Sequence, residues 1–413
     1  MIKKKLFRYS YVVLLLAFIL STFSFSYGKT NNNIVILKQK IDSIVGTINC
    51  TVSIQIVSAS KYDLIYSYKP EIKMIPASIT KVITSSTALM NLGASYEFKT
   101  VIYTDDNYID DGIINGNLYI KGYGDPDLST YDVMNLAYQV SQRNIKEITG
   151  NIIYDNSYLD DEYKGLANYY QGDTKSTYWP YVCALSIDKN KGSTNPAYVA
   201  AKILSDELTN KNIKLDGIII SGITPESSKE VSKFSRTLSD VIINMNKVSD
   251  NQSAITLFKV IGANYKSAPG TLRKGTDAVI NFLTTIGVDR SNYEILEGSG
   301  LTRYNYVTSD LYIQLLKYIY DQEKSFNCFY ASLPVAGVDG TLSDRMKNTE
   351  AEKNVHAKTG TINSVSSLTG YAVSRDNELM IFYIAMNGFG NSPNPIRKKQ
   401  DSICELICQF SRK

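Results

Sequence analysis

The sequence predicts an α+β protein in which an antiparallel sheet flanked by helices is interrupted by an inserted second domain. Three observations point there. A helical stretch, an alternating hairpin and a second helix come first, and a three-strand meander followed by an amphipathic helix comes last. Between residues 96 and 235 the texture changes to short strands broken by Asn, Asp and Gly turns. The chain is then a discontinuous domain, 29–95 with 236–413, around an insert at 96–235.

The 413 residues, 44% hydrophobic and 20% charged, suit a globular chain of more than one domain. Residues 1–8 are basic, 11–20 are apolar, and small residues follow to Gly28. That order reads as a signal peptide over 1–28, so the protein is expected outside the cytoplasm, in the wall space or on the outer membrane face. An uncleaved anchor is the alternative. Without those residues 40 basic and 40 acidic side chains remain, which leaves no electrostatic footprint for nucleic acid. Cys50, Cys183, Cys328, Cys404 and Cys408 are odd in number and widely spaced, so buried thiols are expected rather than a disulfide framework. His356 is the only histidine, which excludes a His-rich metal motif and leaves a Ser-His-Asp triad little support.

Taken in order, Ile34, Leu37, Ile41 and Ile44 have helical spacing, and 51–57 and 63–68 alternate as a hairpin. Pro76 stops any preceding element and puts Ser78 in the first turn of a helix closed by Asn91-Leu92-Gly93. Residues 96–104 form a strand, and 112–122 add more around an Asn115-Gly116 turn. A tight loop covers 122–128, a strand closes 145–154, and 170–195 is surface loop. Asn195-Pro196 opens a helix to about 208. A helix from about 239 breaks at 248–251 and resumes through Phe258, and 275–287 and 308–320 are further helices. Loops are expected at 297–303 and 333–345, strands at 355–361, 368–373 and 379–386. Ile403, Leu406, Ile407 and Phe410 line a tail helix suited to packing on a sheet.

The chemistry starts at Ser78-Ile79-Thr80-Lys81. A lysine one helical turn from a serine shares its face and can take its proton if burial lowers its pKa. Ser-x-x-Lys also occurs at Ser26/Lys29, Ser58/Lys61 and Ser186/Lys189, so one copy alone says little. The Ser78 copy is followed by Ser249-Asp250-Asn251 in an interhelix loop and by Lys358-Thr359-Gly360 on a strand, an ordered set known from β-lactamases and penicillin-binding proteins. Acyl transfer without a histidine follows. Ser78 would attack a carbonyl, Lys81 would be the base, Ser249 would relay a proton to the leaving amine, and Asn251 would hold Lys81 or a substrate amide. Lys358 and Thr359 would bind a substrate carboxylate, and Gly360 would let substrate backbone approach. The N–H of Thr361 with that of Ser78 would form an oxyanion hole. Asp250 reads as a helix cap and His356 as structural.

Further segments carry a resemblance: Gly122-x-Gly124-Asp125-Pro126-x-Leu128, Met245-Asn246-Lys247, Gly298-Ser299-Gly300-Leu301-Thr302-Arg303 and 333–342. With the three motifs they resemble the class C low-molecular-mass penicillin-binding proteins, serine D-Ala-D-Ala carboxypeptidases and endopeptidases of peptidase family S13. The resemblance implies a penicillin-binding/β-lactamase-like transpeptidase fold with an insert and no cofactor. Peptidoglycan stem peptides are the implied substrate and β-lactam antibiotics the implied acylating mimics. It also implies that Asp155, in Asp155-Asn156-Ser157, faces a cationic substrate side chain, with Arg303 near the same pocket. A β-lactamase is disfavoured by the long insert and the lack of a clear deacylating Glu motif. A weakly catalytic wall-binding or β-lactam-sensing protein is the reading from another class.

Overall fold

The computed structural model describes residues 32–162, 171–390 and 392–413. The leader expected over 1–28 lies outside the described residues. No described helix is long and apolar enough to cross a membrane.

The chain opens with α1 (Asn32–Val45), then the antiparallel hairpin β1 (Thr51–Ser58) and β2 (Leu64–Tyr68). α2 (Thr80–Asn91) follows a short 3-10 turn at Ala77–Ile79. The chain goes on with β3 (Glu97–Thr104), β4 (Ile113–Ile114), β5 (Leu118–Gly122), α3 (Thr130–Ser141), β6 (Glu147–Ile148) and β7 (Ile152–Asp155). It continues with α4 (Pro196–Asn210), β8 (Lys214–Leu215), β9 (Ile219–Ser221) and β10 (Lys229–Thr237). Next come α5 (Leu238–Val248), α6 (Asn251–Lys266), α7 (Leu272–Thr285), β11 (Tyr293–Glu294), β12 (Tyr306–Val307), α8 (Ser309–Tyr320) and α9 (Glu323–Ser332). The chain ends on β13 (Val355–Ile362), β14 (Val365–Val373), β15 (Leu379–Asn387) and α10 (Asn394–Gln409).

The main sheet runs β13-β14-β15-β1-β2, so the two ends of the chain meet where β15 pairs antiparallel with β1. β15 shows why two helical layers are needed. Ile381, Tyr383 and Ala385 face one core with Ile79, Val82, Leu257 and Leu311. Met380, Phe382, Ile384 and Met386 face another with Leu37 and Ile41 of α1 and Ile403 and Ile407 of α10. A strand alternates sides every residue, so a strand apolar at every position must be covered on both faces. The tail helix packs on the sheet as expected, burying Ile403, Cys404, Ile407 and Cys408. All five cysteines are free thiols.

The second sheet, β10-β3-β5-β7-β9, has its own core, in which Ile102, Leu118 and Ile120 meet Val133 and Leu136 of α3 and Ala200 and Leu204 of α4. β5, β7 and β9 are parallel, a pairing that needs crossovers, and α3 and α4 supply them. Its strand β10 runs to Thr237 and leads straight into α5.

Several expectations change. Asn115-Gly116 is not a hairpin turn: β4 pairs with β6 in a small parallel sheet, while β5 pairs with β3 and β7. Asp106 and Asp105 accept the backbone N–H groups of Asn115 and Asn117, pinning the link between two sheets. α3 was not expected. Its signal is Ser129-x-x-Asp132, whose side chains and backbone N–H groups cap each other ahead of Val133, Leu136 and Val140. α9 carries little apolar signal, its polar sequence burying only Phe329 and Ser332.

Candidate active site

Ser78 sits in the 3-10 turn just before α2, rather than in the first turn of the α-helix itself. The turn needs Ala77 at φ +51°, a left-handed conformation that a non-glycine residue adopts only when its surroundings impose it. They do so from three sides. Thr80 Oγ1 donates to Ala77 O at 2.9 Å, and Ser367 Oγ of β14 donates to Pro76 O at 2.9 Å. Gly300 lies so close that a Cβ there would meet Ala77 O at 1.9 Å.

Lys81 is fully buried. Its Nζ lies 3.1 Å from Ser78 Oγ and donates to Asn251 Oδ1 at 2.7 Å and Ser299 O at 2.7 Å. Burial lowers its pKa to about 8, against the opposing pull of Glu297 and Asp250. A free amine on Lys81 therefore exists near neutral pH, beside the hydroxyl it would deprotonate.

The second motif is built by a helix break. Ser249 takes φ +61° at the end of α5, and Asp250 caps α6 by accepting the Ser253 N–H at 2.6 Å. That kink turns Ser249 and Asn251 toward the nucleophile. Asn246 fixes α5 by donating to Ser85 Oγ of α2 and Ser332 Oγ of α9, both at 2.9 Å.

The third motif lies on β13, an edge strand of the main sheet whose outer side pairs, ahead of the motif, with residues 334–336: Val355 O accepts from Ala336 N and Ala357 N donates to Pro334 O. A Cβ on Gly360 would meet Pro76 O at 2.6 Å and Ser78 N at 3.1 Å, so only glycine lets the strand lie against the nucleophile's turn. Lys358 is fully buried and donates to Ser249 Oγ at 2.8 Å and Thr359 O at 2.9 Å. Burial, and then the charge of Lys81, push its pKa well below the ordinary lysine value. Thr359 Oγ1 is 2.7 Å from Thr341 Oγ1.

Two recesses adjoin the motif residues. One, of about 730 Å3, is lined by Ser78, Ser249, Thr341, Thr359, Thr361 and Arg397, among others. The other, of about 640 Å3, is lined by Asn251, Arg303, Thr361, Asp173 and Tyr178, among others. Arg303 thus reaches the cleft, its Nη1 donating to Asn363 O at 2.9 Å. Asp155 does not. It is fully buried in the second sheet, where Lys121 lies 3.1 Å away and Ser157 and the Thr224 N–H donate to its two oxygens. A carboxylate so enclosed has no oxygen left for a substrate cation.

Glu297 is the site residue that the sequence did not single out. Fully buried, it accepts from Ser299 N at 2.6 Å, Ser299 Oγ at 2.5 Å and Gly300 N at 2.7 Å, shaping the loop that aims Ser299 O at Lys81. Its only signal was an acid directly before Gly-Ser-Gly. Glu297→Gln should cost about 2–4 kcal/mol in urea unfolding, because an amide N–H2 would face these donors. It should also move the rising limb of the acylation pH profile to lower pH, because the Glu297 charge raises the Lys81 pKa and its loss makes the ammonium less favourable.

The chain is 26% identical over 417 residues to D-alanyl-D-alanine carboxypeptidase DacB of Haemophilus influenzae, covering 83% of this chain and 86% of that one. It is 26% identical over 466 residues to the D-alanyl-D-alanine carboxypeptidase of Actinomadura sp. strain R39, covering 91% and 85%. The crystal structure of penicillin binding protein 4 from Haemophilus influenzae matches with a TM-score of 0.77 at 24% identity, over 88% of this chain and 98% of that one. The fold is therefore the α+β fold of a penicillin-binding protein. The model of the D-Ala-D-Ala carboxypeptidase 3 (S13) family matches residues 37–194 and 191–409, and the chain belongs to that family of serine peptidases.

Proposed function

We propose that this protein is an extracytoplasmic serine D-Ala-D-Ala carboxypeptidase that trims peptidoglycan stem peptides through a Ser78 acyl-enzyme. The observation that carries the reading is the pairing of two buried lysines with two serines, Lys81 with Ser78 and Lys358 with Ser249, in one cleft. The free amine of Lys81 takes the Ser78 proton as Oγ bonds to the penultimate D-Ala carbonyl carbon. The N–H groups of Ser78 and Thr361 hold the oxyanion. As the intermediate collapses, the C–N bond breaks and Ser249, backed by Lys358, gives the leaving amine its proton. Water then repeats the sequence on the ester, freeing the shortened peptide and Ser78.

β-Lactams present the same acyl–amine bond in a ring. Their opening leaves the amine tethered and the ester slow to hydrolyse. In the same reading residues 96–235 are an inserted domain walling one side of the cleft, Asn251 holds Lys81, Arg303 lines the stem-peptide side, and the leader exports the chain. The purified chain should release one D-Ala per acyl-D-Ala-D-Ala peptide, while benzylpenicillin is lost no faster than about one equivalent per active site in the first minutes. Rapid, sustained loss of the drug without D-Ala release would make it a β-lactamase instead.

A further inference from the structure

We propose that Ser186-x-x-Lys189, another copy of the serine–lysine spacing, clamps the first turn of α6, and that Lys189 is a positioning residue that keeps Asn251 aimed at Lys81. The inference rests on the Ser78 acyl-enzyme reading above.

Ser186 and Lys189 reach α6 on either side of Asn251. The buried Ser186 Oγ accepts from Gln252 Nε2 at 3.1 Å. Lys189 Nζ donates to Ser253 Oγ at 2.8 Å. It also lies 3.8 Å from Asp250 Oδ2, the carboxylate whose other oxygen caps α6. Residues 250, 252 and 253 are thereby held, and Asn251 among them accepts from Lys81. Lys189 pairs in addition with Asp127. Asp127 Oδ2 accepts from Asn244 Nδ2 of α5 at 3.0 Å, so one carboxylate ties both helices that meet at the Ser249 break.

The turn that delivers Lys189 is a costly one. Asp188, Lys189 and Asn190 take φ +44°, +59° and +56°, three successive left-handed residues without a glycine. Their neighbours impose it. Asp188 accepts from Thr130 N at 3.0 Å and Thr130 Oγ1 at 2.5 Å, and Asn190 Nδ2 donates to Tyr181 O at 3.0 Å. The Lys189 side chain is 24% exposed and those of Asp127 and Asp250 are 8% and 20%, so water screens these charges only in part. Asp125 of the same loop as Asp127, and Asp132 of α3, are paired with Arg236 at 3.1 and 2.8 Å. The charges of Glu297 and Asp250 favour the Lys81 ammonium, while Lys358 is the cation that faces it. Losing Lys189 would leave Asp250 and Asp127 unbalanced and hold the proton on Lys81 to higher pH.

The test follows acylation of the purified chain by benzylpenicillin against pH, read by intact mass. In Lys189→Met the midpoint of the rising limb should move up by about 0.5, with acylation at pH 7 about 3-fold slower. Lys189→Arg should keep the parent midpoint. Asp127→Asn combined with Lys189→Met removes both charges of the pair and should return most of the way to it. A packing role alone would slow the reaction equally at every pH. With no drug present, amide hydrogen exchange over residues 250–256 should quicken about 10-fold in Lys189→Met. An unchanged midpoint, a double variant displaced as far as the single one, or unchanged exchange would overturn the inference. If Lys189→Met does not fold, Lys189→Gln carries the same comparison. A parent that gains no drug mass removes the acyl-enzyme reading, and the exchange arm still decides the clamp.

Discussion

Ser78→Ala should show no mass increase after benzylpenicillin, where the parent gains one drug equivalent, and its D-Ala release should fall by about 10^4-fold or more. The size of the effect follows from the geometry. Lys81 Nζ has one hydroxyl within reach that lies in the cleft beside the Gly360 strand, that of Ser78 at 3.1 Å. Ser249, the other cleft serine, is held by Lys358 rather than by Lys81. Removing Ser78 Oγ therefore removes the acyl acceptor without a substitute nearby. Ser78 is only half-buried and its backbone turn is held by Thr80, Ser367 and Gly300, so the melting temperature should change little. A Ser78→Ala protein that still carries the adduct would move the nucleophile elsewhere.

Lys81→Met should lower acylation by about 10^2- to 10^4-fold, the usual reach of a general base. Lys81→Arg should be no better, because a guanidinium keeps its proton at any relevant pH and has no lone pair to offer. The parent's acylation rate constant should rise with pH and level off above about 8, since only the neutral amine accepts the serine proton and burial places that transition there. The sign follows from the base: below the lowered pKa the ammonium dominates and donates to Ser78, Asn251 and Ser299 instead of accepting. Methionine fills the buried space without an unpaired charge, so a folded but slow variant is expected. A rate flat between pH 6 and 9 would exclude Lys81 as the base.

Much of this was legible along the chain. The β1–β2 hairpin, the β13–β15 meander, the break at Ser249 and the amphipathic tail helix are written in alternation, helical spacing and turn residues. These act over a few neighbours and need no distant partner. The three motifs name the candidate reacting groups because acyl transfer without histidine leaves few choices of side chain. Ser129-x-x-Asp132 is equally local, but the surrounding Asn, Asp and Gly turns mask it.

What the chain order did not carry was decided by contacts across the fold. Lys81 meets Asn251 170 positions away, and Lys358 meets Ser249 across 109. Burial at those meetings, not residue type, lowers the lysine pKa values. Asn115-Gly116 has hairpin chemistry, yet Asp105 and Asp106 capture the neighbouring N–H groups and send its flanks into separate sheets. Asp155 reads as a polar turn acid, yet Lys121 on the adjacent strand encloses it. Glu297 reads as a loop acid, yet it organises the carbonyl that holds Lys81. The sequence by itself determined most of the local elements and the candidate reacting groups. The tertiary structure decided which charges lose water and which partners they find, because desolvation and pairing depend on what packs around a group rather than on what adjoins it in the chain.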